Sequence, residues 1–149
     1  MTEQLNATPS ERAPIDRLRD EMERPPYHGF LRPRPERVDD ATGTVTVTLP
    51  FRPEFRRAPD ASGYHGGIVA SLIDLAAHAA VAVRIGRMAP TIDLRIDYLR
   101  VALDGDLSAT ASVRRAGGTL AIADVEIRDA EARLVALGRG LFSTAPPAP

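Results

Sequence analysis

Between Ile68 and Val83 the chain runs almost unbroken through apolar residues, "IVASLIDLAAHAAVAV". A helix that is hydrophobic on every side is stable in water only when its whole circumference is covered, so this segment predicts a buried helix around which the rest of the fold is laid. Three polar residues interrupt it. Ser71, Asp74 and His78 fall at i, i+3 and i+7 and therefore share one face, a polar seam along an apolar rod. A carboxylate in such a place is costly unless it is paired or used, which makes Asp74 a candidate functional residue and leaves a structural pairing, with His78 or other donors, as the alternative.

The remaining totals narrow the setting. A chain of 149 residues suits one domain with one core. A formal net charge of −1 removes the basic footprint of a nucleic-acid binder. Cysteine is absent and every one of the 19 basic residues is arginine, so neither thiol chemistry nor a Schiff-base lysine is available. The apolar run, about 16 residues with Asp74 and His78 inside it, is short for a membrane span. The opening "MTEQLNATPSERAP" has no basic stretch leading into an apolar core. The expectation is a cytoplasmic protein that needs neither membrane nor cofactor.

Along the chain, residues 1–13 and the proline-rich 145–149 are expected to fray, leaving 14–144 as a single domain. "APIDRLRDEMERPP" puts Ile15, Leu18 and Met22 on one face and predicts a short amphipathic helix. "GTVTVTLP" alternates and predicts a strand over Thr44–Leu49, while the prolines and glycines of "FRPEFRRAPDASGYHGG" read as a loop. Gly86 suits a helix C-cap. Beyond it the period switches to two through "IDLRIDYLRV", "LSATASVRR", "TLAIADVEIRD" and "RLVALGRGLF", with turns "LDGD", "AGG" and "DAEA" between them. The short connections predict an antiparallel meander, and the whole an α+β fold with the apolar helix on one face of the sheet.

The stretch "YHGGIVASLIDLAAHAAV" resembles the signature of hotdog-fold acyl-CoA thioesterases, in particular the phenylacetate-pathway and 4-hydroxybenzoyl-CoA groups. In that family a His-Gly-Gly opens the central helix and an acid follows nine positions after the histidine; here these are His65, Gly66, Gly67 and Asp74. The likeness extends through the strands, over residues 40–144. It implies an antiparallel sheet wrapped around the helix, an acyl-CoA substrate with an aromatic or medium-chain acyl group, and a homo-oligomer, dimer or dimer of dimers, with shared sites. Two positions depart from the pattern. Fifteen residues before the acid, where the family often has Asn or Gln, stands Pro59 beside Asp60, and four residues after it His78 replaces Ser or Thr. The first departure keeps a non-catalytic acyl-CoA-binding module as the rival reading.

By resemblance, the N–H groups of Gly66 and Gly67, aided by the positive end of the helix dipole, bind the thioester oxygen, and Asp74 acts as nucleophile or as the base that activates water. The alternative for the glycines is a tight turn that needs their conformations. His65 is read as fixing that turn through a hydrogen bond. His78 either holds Asp74 ionised, places a water or fills the core, and Ser71 is a packing residue or a site member. Arg114 and Arg115 are candidates to grip coenzyme A phosphates, or simply a solvated strand end. No single metal ion joins His65, Asp74 and His78 in one chain, because roughly 13 Å of helix separates the first two.

Overall fold

The computed structural model of the protein describes residues 12–147. The expected fraying of the two ends therefore lies mostly outside the described residues. Helix α1 spans Pro14–Glu23 and a short α2 spans Pro26–Leu31, each with proline in its first turn, where the missing N–H costs no hydrogen bond. Strands β1 (Arg34–Asp39) and β2 (Thr44–Leu49) form a hairpin. A single 3-10 turn at Pro53–Phe55 leads into a small separate hairpin, β3 (Arg56–Ala58) and β4 (Ala61–Tyr64), in the region the sequence presents as loop. Then come α3 (Gly66–Ile85) and strands β5 (Thr91–Tyr98), β6 (Leu107–Ala116), β7 (Leu120–Arg128) and β8 (Leu134–Ser143).

The six long strands make one antiparallel sheet in the order β1-β2-β6-β7-β8-β5. The meander holds for β6-β7-β8 and fails for β5, which crosses over to pair with β8 and becomes an edge. That reordering lets the sheet curl around α3, which packs against β2, β6, β7 and β8 on one side and α1 on the other. Alternation does the sorting: Leu107, Ala109 and Ala111 of β6 and Ala121, Ala123, Val125 and Ile127 of β7 face the helix and are buried, while the intervening polar residues face away.

Small residues set how closely the helix can lie. A Cβ on Gly138 of β8 would stand 2.2 Å from Cγ2 of Ile73, so α3 rests directly on the β8 backbone. At 20 residues α3 is long and apolar enough to cross a membrane by composition, yet 61% of its most apolar stretch is buried against protein. Its ends are set locally by His65 at the N-cap and by Gly86, left-handed with φ 78°, at the C-cap.

Candidate active site

At the head of α3 the chain leaves β4 with two backbone hydrogen bonds, Tyr64 N–H to Ala102 O and His65 N–H to Phe55 O, which fix the entry. Neither Gly66 nor Gly67 has a positive φ, so a turn needing glycine conformations is not why they are there. The Gly67 N–H donates to Nδ1 of His65 at 3.0 Å. It is therefore not a free donor, and the accepting nitrogen places the neutral ring's proton on Nε2. The Gly66 N–H has no acceptor among the described residues and points out of the first turn of the helix, where the dipole is positive. A Cβ there would have Tyr98 as its nearest neighbour, at ordinary contact distances of 3.5–3.6 Å, so a methyl group is sterically tolerated. Tyr98, the last residue of β5, donates its hydroxyl to Gly66 O at 2.8 Å and ties the strand end to the helix start. A cleft of about 350 Å³ opens here, lined by Gly66, Val69, Tyr64 and Tyr98 together with Arg57 and Arg100.

The polar seam of α3 faces α1, α2 and the start of β5. Ser71 Oγ donates to Gly67 O at 2.9 Å and shares a 2.7 Å hydrogen bond with the hydroxyl of Tyr27 from α2. Asp74 is half-buried, and its Oδ1 accepts from Thr91 Oγ1 at 2.9 Å; Oδ2 has no donor among the described residues. His78 does not bond Asp74. Its Nε2 accepts from Ala89 N–H at 3.2 Å, its Nδ1 faces Glu21 Oε2 at 3.6 Å, and its ring lies 6.0 Å from that of Phe142. Burial pushes the imidazole below its ordinary value despite the nearby Asp74 charge, and burial pushes the Glu21 carboxyl up. His28 of α2, also held down by burial, is close enough to feel Asp74.

The arginines do not join this group. Arg114 sits on the opposite face of the sheet, where Asp124 accepts from Arg114 Nε at 2.9 Å and from Arg139 Nε at 2.6 Å. A hollow of about 640 Å³ lies on that face and contains none of the seam residues. Arg115 is exposed beyond the bulge in β6, and Pro59 and Asp60 form the exposed turn of the small hairpin. Thr91, Glu21, His28 and Tyr27 were not singled out by the sequence, since none lies in a motif and each meets α3 only through the tertiary fold.

Comparison with known proteins fits this geometry. A family profile described as "Thioesterase superfamily" matches residues 64–136, the span from the residue before His65 into β8. A Halobacterium salinarum protein named as an esterase is 38% identical over 127 residues, 77% of this chain and 83% of that protein. A solved structure described as from the thioesterase superfamily superposes with a TM-score of 0.82 at 32% identity, covering 87% of this chain and 97% of the other. The chain belongs to the thioesterase superfamily. The medium/long-chain acyl-CoA thioesterase YigI of Escherichia coli is 38% identical over 88 residues, 48% of this chain and 56% of that protein. The fold is the hotdog of that superfamily and the protein is a thioester hydrolase. Two groups on α3 have no partner at one atom among the described residues: the Gly66 N–H, without an acceptor, and Oδ2 of Asp74, without a donor.

Proposed function

We propose that the protein hydrolyses an acyl-CoA with an aromatic or medium-chain acyl group, at sites shared between two copies of the chain. The observation that carries this is the pairing, on one helix, of a backbone N–H at Gly66 and a carboxylate oxygen at Asp74 that have no acceptor and no donor among the described residues. The N–H receives the thioester carbonyl oxygen and the charge it gains on attack. Asp74 either attacks the carbonyl carbon, expelling the thiolate and leaving a mixed anhydride that water opens to the free acid, or takes the proton of a water that attacks directly; in both the thiolate leaves with little need of an acid. After a single turnover in ¹⁸O-water, label in Asp74 establishes the nucleophilic route, since the carboxylate acquires it when water opens the anhydride at the aspartyl carbon and never in the general-base route.

Eight residues of helix hold the two groups about 12 Å apart, too far to meet at one carbon within a chain. Two antiparallel copies of α3 remove the difficulty, with the head of each facing the middle of the other. The edge strand β5 supports this arrangement: it has no neighbour on its outer side among the described residues, and Ile92, Tyr98, Leu99 and Val101 along and after it are 53, 54, 49 and 48% exposed. The acyl preference rests on Tyr27 and Phe30, two exposed rings stacked 6.3 Å apart beside Ser71, which offer an apolar wall next to the seam. The medium/long-chain activity of YigI supports the same reading. Arg57 and Arg100, which line the cleft, join Arg114 and Arg115 as candidates for the phosphates of coenzyme A.

The test is free-thiol release across a panel running from acetyl- to palmitoyl-CoA and including phenylacetyl- and benzoyl-CoA. Steady turnover that peaks with the medium-chain or aromatic members is expected. A rise in melting temperature with acyl-CoA and no thiol released would overturn the proposal in favour of a binding module.

A further inference from the structure

The histidine that replaces the usual hydroxyl residue four positions after the acid has both ring nitrogens turned away from Asp74, yet it reaches Asp74 by another route. A backbone amide can only donate, so the 3.2 Å contact from Ala89 N–H requires a lone pair on His78 Nε2. The neutral ring therefore carries its proton on Nδ1, directed at the Glu21 carboxyl of α1. Ala89 is buried, and the next residue, Pro90, accepts from Ser143 N–H at 2.9 Å. The lead into β5 is thus pinned to α3 by His78 and to β8 by Ser143. The residue that follows is Thr91, the donor to Asp74 Oδ1.

We infer that His78 is a positioning residue: by holding Ala89 it places the Thr91 hydroxyl, which locks Asp74 so that Oδ2 faces the substrate. This rests on the reading of Asp74 as the catalytic carboxylate. Protonation of the ring puts a second N–H against Ala89 N–H and breaks the chain of contacts at its first link, as removal of the ring does. The titratable groups around His78 are Glu21 from α1, His28 from α2 and Asp74 on its own helix; the lead into β5 and strand β8 contribute Ala89 and Phe142, which do not titrate.

The experiment compares His78→Leu, His78→Gln, Thr91→Val and the Leu/Val double variant in the full chain, with octanoyl-CoA as substrate. Expected for His78→Leu is a kcat lower by about 10- to 100-fold at constant KM, the scale of a small misplacement of a reacting group. His78→Gln, whose amide oxygen accepts from Ala89, recovers most of that loss, and the imidazole's titration disappears from the acid limb of its pH–kcat profile. The double variant is no slower than the slower single, because both changes act on one hydrogen bond. Losses that multiply, a Gln variant as slow as Leu, or an unchanged acid limb overturn the inference. If His78→Leu does not fold, nitrogen-15 NMR of the free wild-type protein above pH 7 decides: a proton on Nδ1 supports the inference and a proton on Nε2 overturns it. Wild-type protein that hydrolyses no acyl-CoA would count against the enzymatic proposal instead, leaving the tautomer to judge the His78–Ala89 link by itself.

Discussion

Gly66 stands at the first position of α3 with a helical φ and room for a methyl group beside Tyr98, so nothing in its own chain demands glycine. The demand comes from whatever approaches the amide. Gly66→Ala is accordingly expected to keep its melting temperature, or raise it slightly, while kcat falls at least about 10-fold, part of the 10²–10³ typical of losing one oxyanion-hole donor; circular dichroism and thiol release read the two separately. Asp74→Asn keeps shape and the Thr91 contact but removes charge, and is expected to lower kcat by about 10²-fold or more. A wild-type rate in that variant would remove Asp74 from the chemistry. At this scale the sequence was legible wherever contacts are local: His65 caps Gly67 two residues away, and Asp74 betrays itself by its helical spacing. Thr91, 17 residues beyond Asp74, and Glu21, 57 residues before His78, have no local signature because the fold alone brings them together.

The elements are held by how closely α3 lies on the sheet. With Gly138 under Ile73, Gly138→Ala forces the helix away from β8 and is expected to cost about 1–3 kcal/mol in urea unfolding, the range of overpacking a core. Ile73→Ala in the same chain should return part of that cost, since the two changes share one contact. The contact of α1 with α3 makes stability depend on pH. His78 titrates below its ordinary value of 6.5 when folded, so its contribution is complete above that pH and is lost as pH falls through 6.5 toward the folded value. Glu21 is raised above 4.5, so its effect has the opposite sense, falling away as pH rises through its folded value. His78→Gln should flatten the loss below pH 6.5 in a series of urea melts; an unaltered slope would mean the ring is not the group that titrates. The apolar helix and the four late strands were readable from their periods of 3.6 and two. The β5 crossover was not, because alternation sets which face a strand buries and leaves its neighbour open. The hairpin β3–β4 was hidden in a stretch rich in proline and glycine, only three and four residues per strand.

For the whole molecule, the proposed shared site rests on the edge of β5, which has no outer neighbour among the described residues, on the apolar residues beside it and on the separation of about 12 Å between Gly66 and Asp74 along α3. The measurement that tests this most directly mixes two inactive variants, Asp74→Asn and Gly66→Pro, unfolded and refolded together at equal amounts. Proline is tolerated at the first position of a helix, so Gly66→Pro removes the N–H while leaving α3 able to form. In a mixed two-fold dimer with shared sites, one site carries both defects and the other carries neither; random pairing returns about a quarter of the wild-type rate. If the mixture stays as inactive as its components, both groups come from one chain and the shared site is wrong.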